Sequence, residues 1–221
     1  VTKHNKIHTH FNLFGTATGR LSSEKPNLQN IPNKTELGQK IRDFFISNPN
    51  FSFIIADYSQ IELRVLAHLS QDSTMIEILK NKKSDIHSET ASRIFNVPIG
   101  DVTSDMRRKA KEVNFGLIYG MEAFGLSKSL DIEQKEASQL IESYFSQFPE
   151  IKGFLDNIVL KATKDSFTET LIGRKRYIRE LNSSNFQVKA AGKRIAMNAP
   201  IQGTAAAVSY THLTLPTTTI V

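Results

Sequence analysis

Arg107, Lys111, Phe115 and Tyr119 recur at every fourth position. At about 100° per residue on a helix, a step of four drifts by only about 40°, so the four side chains share one broad stripe. Two cations followed by two aromatics on one stripe could hold a triphosphate at one end and a base or sugar at the other. Arg offers phosphate a bidentate fork and Lys a point charge, while an aromatic face adds stacking worth about 1–3 kcal/mol per base. The plainer alternative is an amphipathic helix whose two rings are simply core. Gly116 and Gly120 weigh against it, because a glycine inside a helix costs about 1 kcal/mol; they point to a close approach by another surface, or to a bend.

Further acidic residues could join this chemistry. The run Phe51-Ser-Phe-Ile-Ile-Ala56 is nearly continuously apolar and reads as a buried strand. It ends at Asp57, the usual place for a catalytic carboxylate on a sheet-based site. A carboxylate is also the right ligand for Mg²⁺, which prefers hard oxygens and shares its shell with substrate phosphates. A turn or cap is the more ordinary role of a single Asp. Ser59-Gln60-Ile61-Glu62 matches a capping box, in which Glu62 bonds back to the cap N–H, yet Glu62 also lies within a turn or so of Asp57.

Other chemistries fall away. With no cysteine, disulfides, thiolate zinc sites and Cys nucleophiles are excluded. There is no Gly-x4-Gly-Lys-Ser/Thr loop, Gly-x-Gly-x-x-Gly, His-Glu-x-x-His or Gly-x-Ser-x-Gly. His4, His8 and His10 stand in a polar head segment and are expected to be solvated. No apolar run approaches the ~20 residues a bilayer requires, and no charged-then-apolar leader follows Val1.

The elements that must position these groups follow from periodicity. Residues 1–50 are turn-rich, with short β-type pieces such as Ile7 to Leu13. After the strand at 51–56, Ile61, Val65, Leu66 and Leu69 recur at helical spacing, which predicts a strand–turn–helix unit. Helices are expected around Met75–Leu79, Ile86–Phe95, Met106–Tyr119 and Ala137–Phe148, the last stopping at Pro149, then from Ile151 to Val159. Phe167 to Ile178 reads as a hairpin about Gly173. Val188 to about Ala207 returns to helix, broken or capped near Pro200. From Ser209 to Val221 the chain is Thr-rich and without helical period, so residues 208–221 read as an atypical tail, either an ordinary one or a foreign junction.

The net charge is +6, from 28 Lys and Arg against 22 Asp and Glu. Between Ile172 and Arg194 stand Arg174, Lys175, Arg176, Arg179, Lys189, Lys193 and Arg194 against the single acid Glu180. Arg107, Arg108, Lys109 and Lys111 form a second cluster. Two such clusters favour a polyanionic partner over two merely solvated faces.

These motifs, in this order, resemble the polymerase domain of family A DNA polymerases, over about Val1 to Ala206. Thr16-Ala-Thr-Gly-Arg20 with Pro26-Asn-Leu-Gln-Asn-Ile-Pro32 resembles the primer–template-binding segment. Asp57-Tyr-Ser-Gln-Ile-Glu-Leu-Arg64 is similar to motif A, and Arg107-Arg-Lys-Ala-Lys111-x3-Phe115-Gly-x-x-Tyr119-Gly120 to motif B. Arg194-x3-Asn198-x-Pro-x-Gln202-Gly-Thr204 is similar to the following palm helix. The resemblance implies an α+β fold, a partial palm antiparallel sheet with an inserted helical fingers subdomain: palm at 1–69, fingers at 70–185, a palm helix at 186–207.

It further implies template-directed DNA synthesis on primer–template DNA from deoxynucleoside triphosphates, with two Mg²⁺ ions, by a monomer acting in a bacterial cytoplasm or encoded by a phage. Asp57, Arg107 and Lys111 would be catalytic, and Asp57 with the Tyr58 carbonyl would hold metal. Arg107 and Lys111, helped by His87 and Gln60, would grip the triphosphate. Phe115 would stack on base and sugar, and Phe here goes with discrimination against dideoxynucleotides. Glu62 would close the space of a ribose 2′-OH, and Tyr119 would lie at the templating base. Arg20, Asn27, Gln29, Asn30, Arg194, Asn198 and Gln202 would contact DNA, largely in the minor groove, whose degenerate pattern suits checking pair shape. The sequence departs from the family after Ala206: the second metal aspartate, carried by a His-Asp-Glu segment, does not follow. The expectation is therefore an inactive 221-residue chain. A non-catalytic nucleic-acid-binding module and a phage-type single-subunit RNA polymerase relative are the two rival readings.

Overall fold

The structure, a computed structural model, describes residues 6–32, 35–81 and 83–213. The chain divides into two compact units, one made of residues 1–59 and 206–221, the other of residues 60–205. Among the described residues it is mostly helical, with two small antiparallel sheets.

In the first unit, β1 (His10–Asn12) pairs with β2 (Ser22–Glu24) in the register His10 to Glu24 and Asn12 to Ser22. A short 3-10 turn, Leu28–Asn30, follows. The helix α1 (Glu36–Asp43), which the turn-rich reading of residues 1–50 does not foresee, starts at Thr35, whose hydroxyl accepts from the Gly38 N–H at 3.1 Å. The Phe51–Ala56 expectation fails. The segment takes no regular secondary structure and pairs with no strand among the described residues, and Ile54 and Ile55 are 92% and 93% exposed. A strand needs a neighbour to take its N–H and C=O groups, and the only ladders among the described residues are β1–β2 and the second hairpin. Apolar composition alone does not bury a strand.

The second unit is built from α2 (Ile61–Ser70), α3 (Ser73–Lys80), α4 (Ile86–Phe95), α5 (Ser104–Ile118), α6 (Ala123–Leu130), α7 (Gln134–Gln147), α8 (Pro149–Asp165) and most of α9 (Phe186–Leu213). The starts follow capping chemistry. Asp72, Asp85 and Thr103 accept the first-turn N–H groups of Met75, Ser88 and Met106 at 2.8, 2.9 and 3.2 Å, and Pro149 takes the first position of α8, where its missing N–H costs nothing. The apolar stripes converge on one core holding Leu63, Leu66, Met75, Ile86, Ile118, Tyr144, Phe148 and Ile151. The expected hairpin is present: β3 (Phe167–Glu169) pairs with β4 (Lys175–Tyr177), and Gly173 takes φ +84° at its turn.

Two boundary expectations are corrected. α9 runs unbroken through Pro200. A proline in a helix interior forfeits a hydrogen bond and costs about 3 kcal/mol, but Ala196, Ala199, Ile201 and Ala205 are all buried around it, and that packing outweighs the loss. The helix also continues past Ser209 to Leu213, so the tail is helical at its start; residues 214–221, like His4, lie outside the described residues.

Candidate functional site: the α4–α5 face

The cationic stripe forms as spaced. Arg107, Lys111 and Phe115 lie on α5, and Tyr119 is its C-cap. α4 packs along α5 and brings the start of one helix beside the middle of the other. Asp85, the N-cap of α4, takes the Arg107 fork on both oxygens, at 2.8 and 3.1 Å. Burial alone would raise the Asp85 carboxyl, but the Arg107 guanidinium, the Ser88 hydroxyl and the Ser88 N–H outweigh it and bring it down to about 2. The other cations of the cluster differ in kind: Arg108 pairs with Asp105 and Lys109 with Glu136, at 2.7 and 2.8 Å, so these two are internally neutralised. Lys111 is exposed and makes no hydrogen bond or ion pair among the described residues.

His87, on the first turn of α4, is buried against Phe115 with ring centroids 5.6 Å apart. Burial lowers its readiness to take a proton; Asp85 opposes that, and Arg107 and Lys111 reinforce it. The imidazole is therefore a neutral donor and acceptor beside two cations. Its Nδ1 lies 3.2 Å from the Asn114 side-chain nitrogen.

At the far end of the stripe, the Tyr119 hydroxyl donates to Glu62 Oε2 at 2.7 Å. Glu62 is buried. The capping box expected at Ser59–Glu62 is offset from the helix start: the N-cap of α2 is Gln60, in the left-handed region at φ +57° and with no side-chain cap bond of its own. The helix starts one residue later than the box requires. Glu62 accepts a charge-assisted bond from a phenol across helices. Gly120 shows why a glycine follows. Its φ is +68°, and a Cβ there would meet Arg194 Cγ at 2.9 Å and Arg194 Cα at 3.1 Å, so α9 passes too close for any side chain. The close approach expected of the glycines is real.

Arg194 is thereby placed beside the Tyr119–Gly120 turn. Asn198 and Gln202 follow on α9, half-buried, and Asn198 Oδ1 is a buried oxygen with no partner. A cavity of about 350 Å³ opens between α5, α7, α8 and α9, lined by Leu117, Met121, Phe145, Met197, Lys193 and Arg194 among others.

In the other unit, Asn27 Oδ1 accepts from the Gln29 N–H at 3.0 Å and from Ser23 Oγ at 2.9 Å, and Gln29 Nε2 donates to the Leu21 carbonyl at 3.2 Å. Asn27, Gln29 and Asn30 are thus exposed on one turn, and Arg20 is half-buried nearby in sequence. Asp57 is exposed and Tyr58 half-buried on the unpaired segment. Among the described residues no group of three or more His, Cys, Asp or Glu could hold a metal ion. One carboxylate and one carbonyl do not make a two-ion site, so the residues present do not fit the Mg²⁺ pair.

Sequence reasoning did not single out Asp85 or Asn114. Asp85 had a signal, an Asx residue immediately before an apolar-periodic helix. Asn114 had a fainter one, a polar residue on the apolar side of α5.

A profile of DNA polymerase family A matches residues 1–214. The DNA polymerase I of Geobacillus stearothermophilus is 51% identical over 202 residues, which is 91% of this chain and 23% of that protein. That of Caldicellulosiruptor bescii is 50% identical over 201 residues, 91% of this chain and 24% of its own length. Among solved structures, the polymerase domain of Pol1 from M. smegmatis in complex with DNA primer-template and dNTP aligns with a TM-score of 0.85 and 48% identity, covering 93% of this chain and 36% of that one. The chain spans about a quarter of the length of the curated relatives it matches.

Proposed function

The chain belongs to DNA polymerase family A, and from that premise we propose that it is the nucleotide-binding part of an enzyme that extends a primer on a DNA template with deoxynucleoside triphosphates. The observation that carries this reading is the α4–α5 face. From Lys111 to Tyr119 the helix rises about 12 Å. Over that length it offers an unpaired ammonium, a neutral imidazole, an aromatic ring and a Glu–Tyr bond, in that order.

Lys111 and Arg107 bind the phosphates, and Arg107 exchanges Asp85 for the ligand when it does so. His87 donates to the same anion, and Gln60 assists from the start of α2. Phe115 stacks on the sugar and base. The Glu62–Tyr119 pair forms a fixed wall where a ribose 2′-OH would stand, and Tyr119 abuts the templating base. Cations already in place around developing phosphate charge stabilise the transition state without reorganising. Arg194, Asn198 and Gln202 on α9, with Arg20, Asn27, Gln29 and Asn30, contact the duplex. In this reading residues 1–69 and 186–207 belong to the palm and 70–185 to the fingers.

Asp57 and the Tyr58 carbonyl would be two ligands of the metal pair that such an enzyme uses, and alone they are too few to hold it. A pair of ions needs a second carboxylate, and the described residues bring none beside Asp57. We therefore expect the purified chain, a monomer in dilute solution, to show no template-dependent primer extension. The wider function is tested by exchanging the matching segment of the Geobacillus stearothermophilus enzyme for residues 7–207 of this chain. A folded chimera that extends a primer with deoxynucleotides, and loses that activity on Lys111→Ala, supports the proposal. A folded but inactive chimera contradicts it.

A further inference from the structure

Asn114 lies in the middle of α5 and is fully buried, where a polar side chain must find partners. Its Nδ2 stands 3.2 Å from Nδ1 of His87 and 3.1 Å from Oγ1 of Thr90, both on α4. An amide nitrogen only donates, so the imidazole nitrogen facing it must accept, and the ring proton is left on Nε2. Thr90 is itself completely buried, and its hydroxyl meets the same amide, 3.1 Å from Nδ2 and 3.4 Å from Oδ1. Three side chains thus define one orientation of one ring.

We propose that Asn114 is a positioning residue that locks His87 as the neutral Nε2–H tautomer, so that the ring edge opposite the amide is a fixed hydrogen-bond donor for an anionic phosphate oxygen. The proposal rests on the triphosphate reading of the α4–α5 face and adds to it the residue that sets the donor. A second protonation would place an N–H at Nδ1 against the N–H of the amide, which the contact forbids. The charged groups around the ring act with it: Arg107 and Lys111 disfavour an imidazolium, Asp85 favours one, and burial is the largest influence, against it. Phe115, tilted 51° to the imidazole, closes one of its flanks. The site therefore holds a donor without adding a third cation beside Arg107 and Lys111. A neutral donor binds phosphate without having to shed a proton when the ligand leaves.

The test is a two-bond ¹H–¹⁵N correlation spectrum of the imidazole nitrogens in the 221-residue chain, with His87 assigned through His87→Gln. At neutral pH, a protonated Nε2 and an unprotonated Nδ1 in a single unaveraged state are expected. In Asn114→Asp, an isosteric acceptor replaces the donor. The proton should then move to Nδ1, and the titration midpoint of His87 should rise by about one pH unit, a tenfold change in proton affinity. A residue that merely filled the core would leave tautomer and midpoint alike in both proteins. The spectrum of the unsubstituted chain decides even if the variant does not fold: a proton on Nδ1, or fast averaging between the two nitrogens, overturns the proposal. Addition of a deoxynucleoside triphosphate separates the two readings. A shift of His87 Nε2 supports both. A correct tautomer whose signals ignore the nucleotide supports the positioning role and overturns the assignment of the anion.

Discussion

Arg107 and Asp85 show how far a single contact reaches. The pair caps α4, orients α5 and occupies the guanidinium that a phosphate would claim. Its pH dependence has a definite sign. Asp85 falls from about 3.9 in an unfolded chain to about 2 here, so its stabilising contribution is whole above pH 4 and is lost as pH drops towards 2. The side chains are partly exposed, and screening brings the effect to about 1 kcal/mol. His87, with its proton affinity lowered, acts at higher pH with the same sign: stability declines as pH falls below about 6.5, where unfolded histidine takes up protons. Urea midpoints measured from pH 8 to 2 should therefore fall in two steps, and Asp85→Asn should remove the lower one. Tyr119→Phe takes a charge-assisted bond from buried Glu62 and should cost about 1–2 kcal/mol of unfolding free energy. The stripe on α5 was legible because helical spacing alone aligns its members. What those side chains do with their charge was not legible: Arg108 and Lys109 look like phosphate binders in the sequence, and only folding brings Asp105 and Glu136 within reach of them.

Among the elements, the legible ones carry their own signals. The α4 and α5 starts follow from Asp85 and Thr103, and the β3–β4 turn from Gly173. Thr103→Ala should lower stability by about 1 kcal/mol in a denaturant titration, by removing the Met106 cap. Gly120→Ala should cost more, about 1–3 kcal/mol. It combines a positive φ with a clash against Arg194, and because the Arg194 Cα is only 3.1 Å from the new Cβ, Arg194→Ala should not rescue it. A full rescue would mean that the side chain alone makes the contact. Elements that depend on distant partners were misread. The Phe51–Ala56 run has the composition of a buried strand and, among the described residues, no neighbour that would make it one. Pro200 has the local chemistry of a helix stop, yet the buried small residues around it carry α9 onward.

For the molecule as a whole, the same unpaired run has a consequence. Phe44, Ile46, Phe51, Phe53, Ile54 and Ile55 are all exposed within a dozen residues, and an exposed apolar segment outside any sheet recruits other chains. Light scattering should show concentration-dependent association above the micromolar range, and Ile54→Lys with Ile55→Glu should suppress it without changing the helical signal. The central claim, however, concerns the α4–α5 face as a triphosphate site, and one equilibrium titration tests it most directly. A deoxynucleoside triphosphate and, separately, a primer–template duplex are titrated into the chain and into Lys111→Ala. The exposed, unpaired ammonium leaves the fold unaffected by the substitution. Triphosphate affinity should fall at least about tenfold, or about 1.4 kcal/mol, while duplex affinity changes by less than about twofold. Equal losses for both ligands, or no triphosphate binding by the unsubstituted chain, would contradict the account and leave a basic surface that holds nucleic acid without selecting a nucleotide.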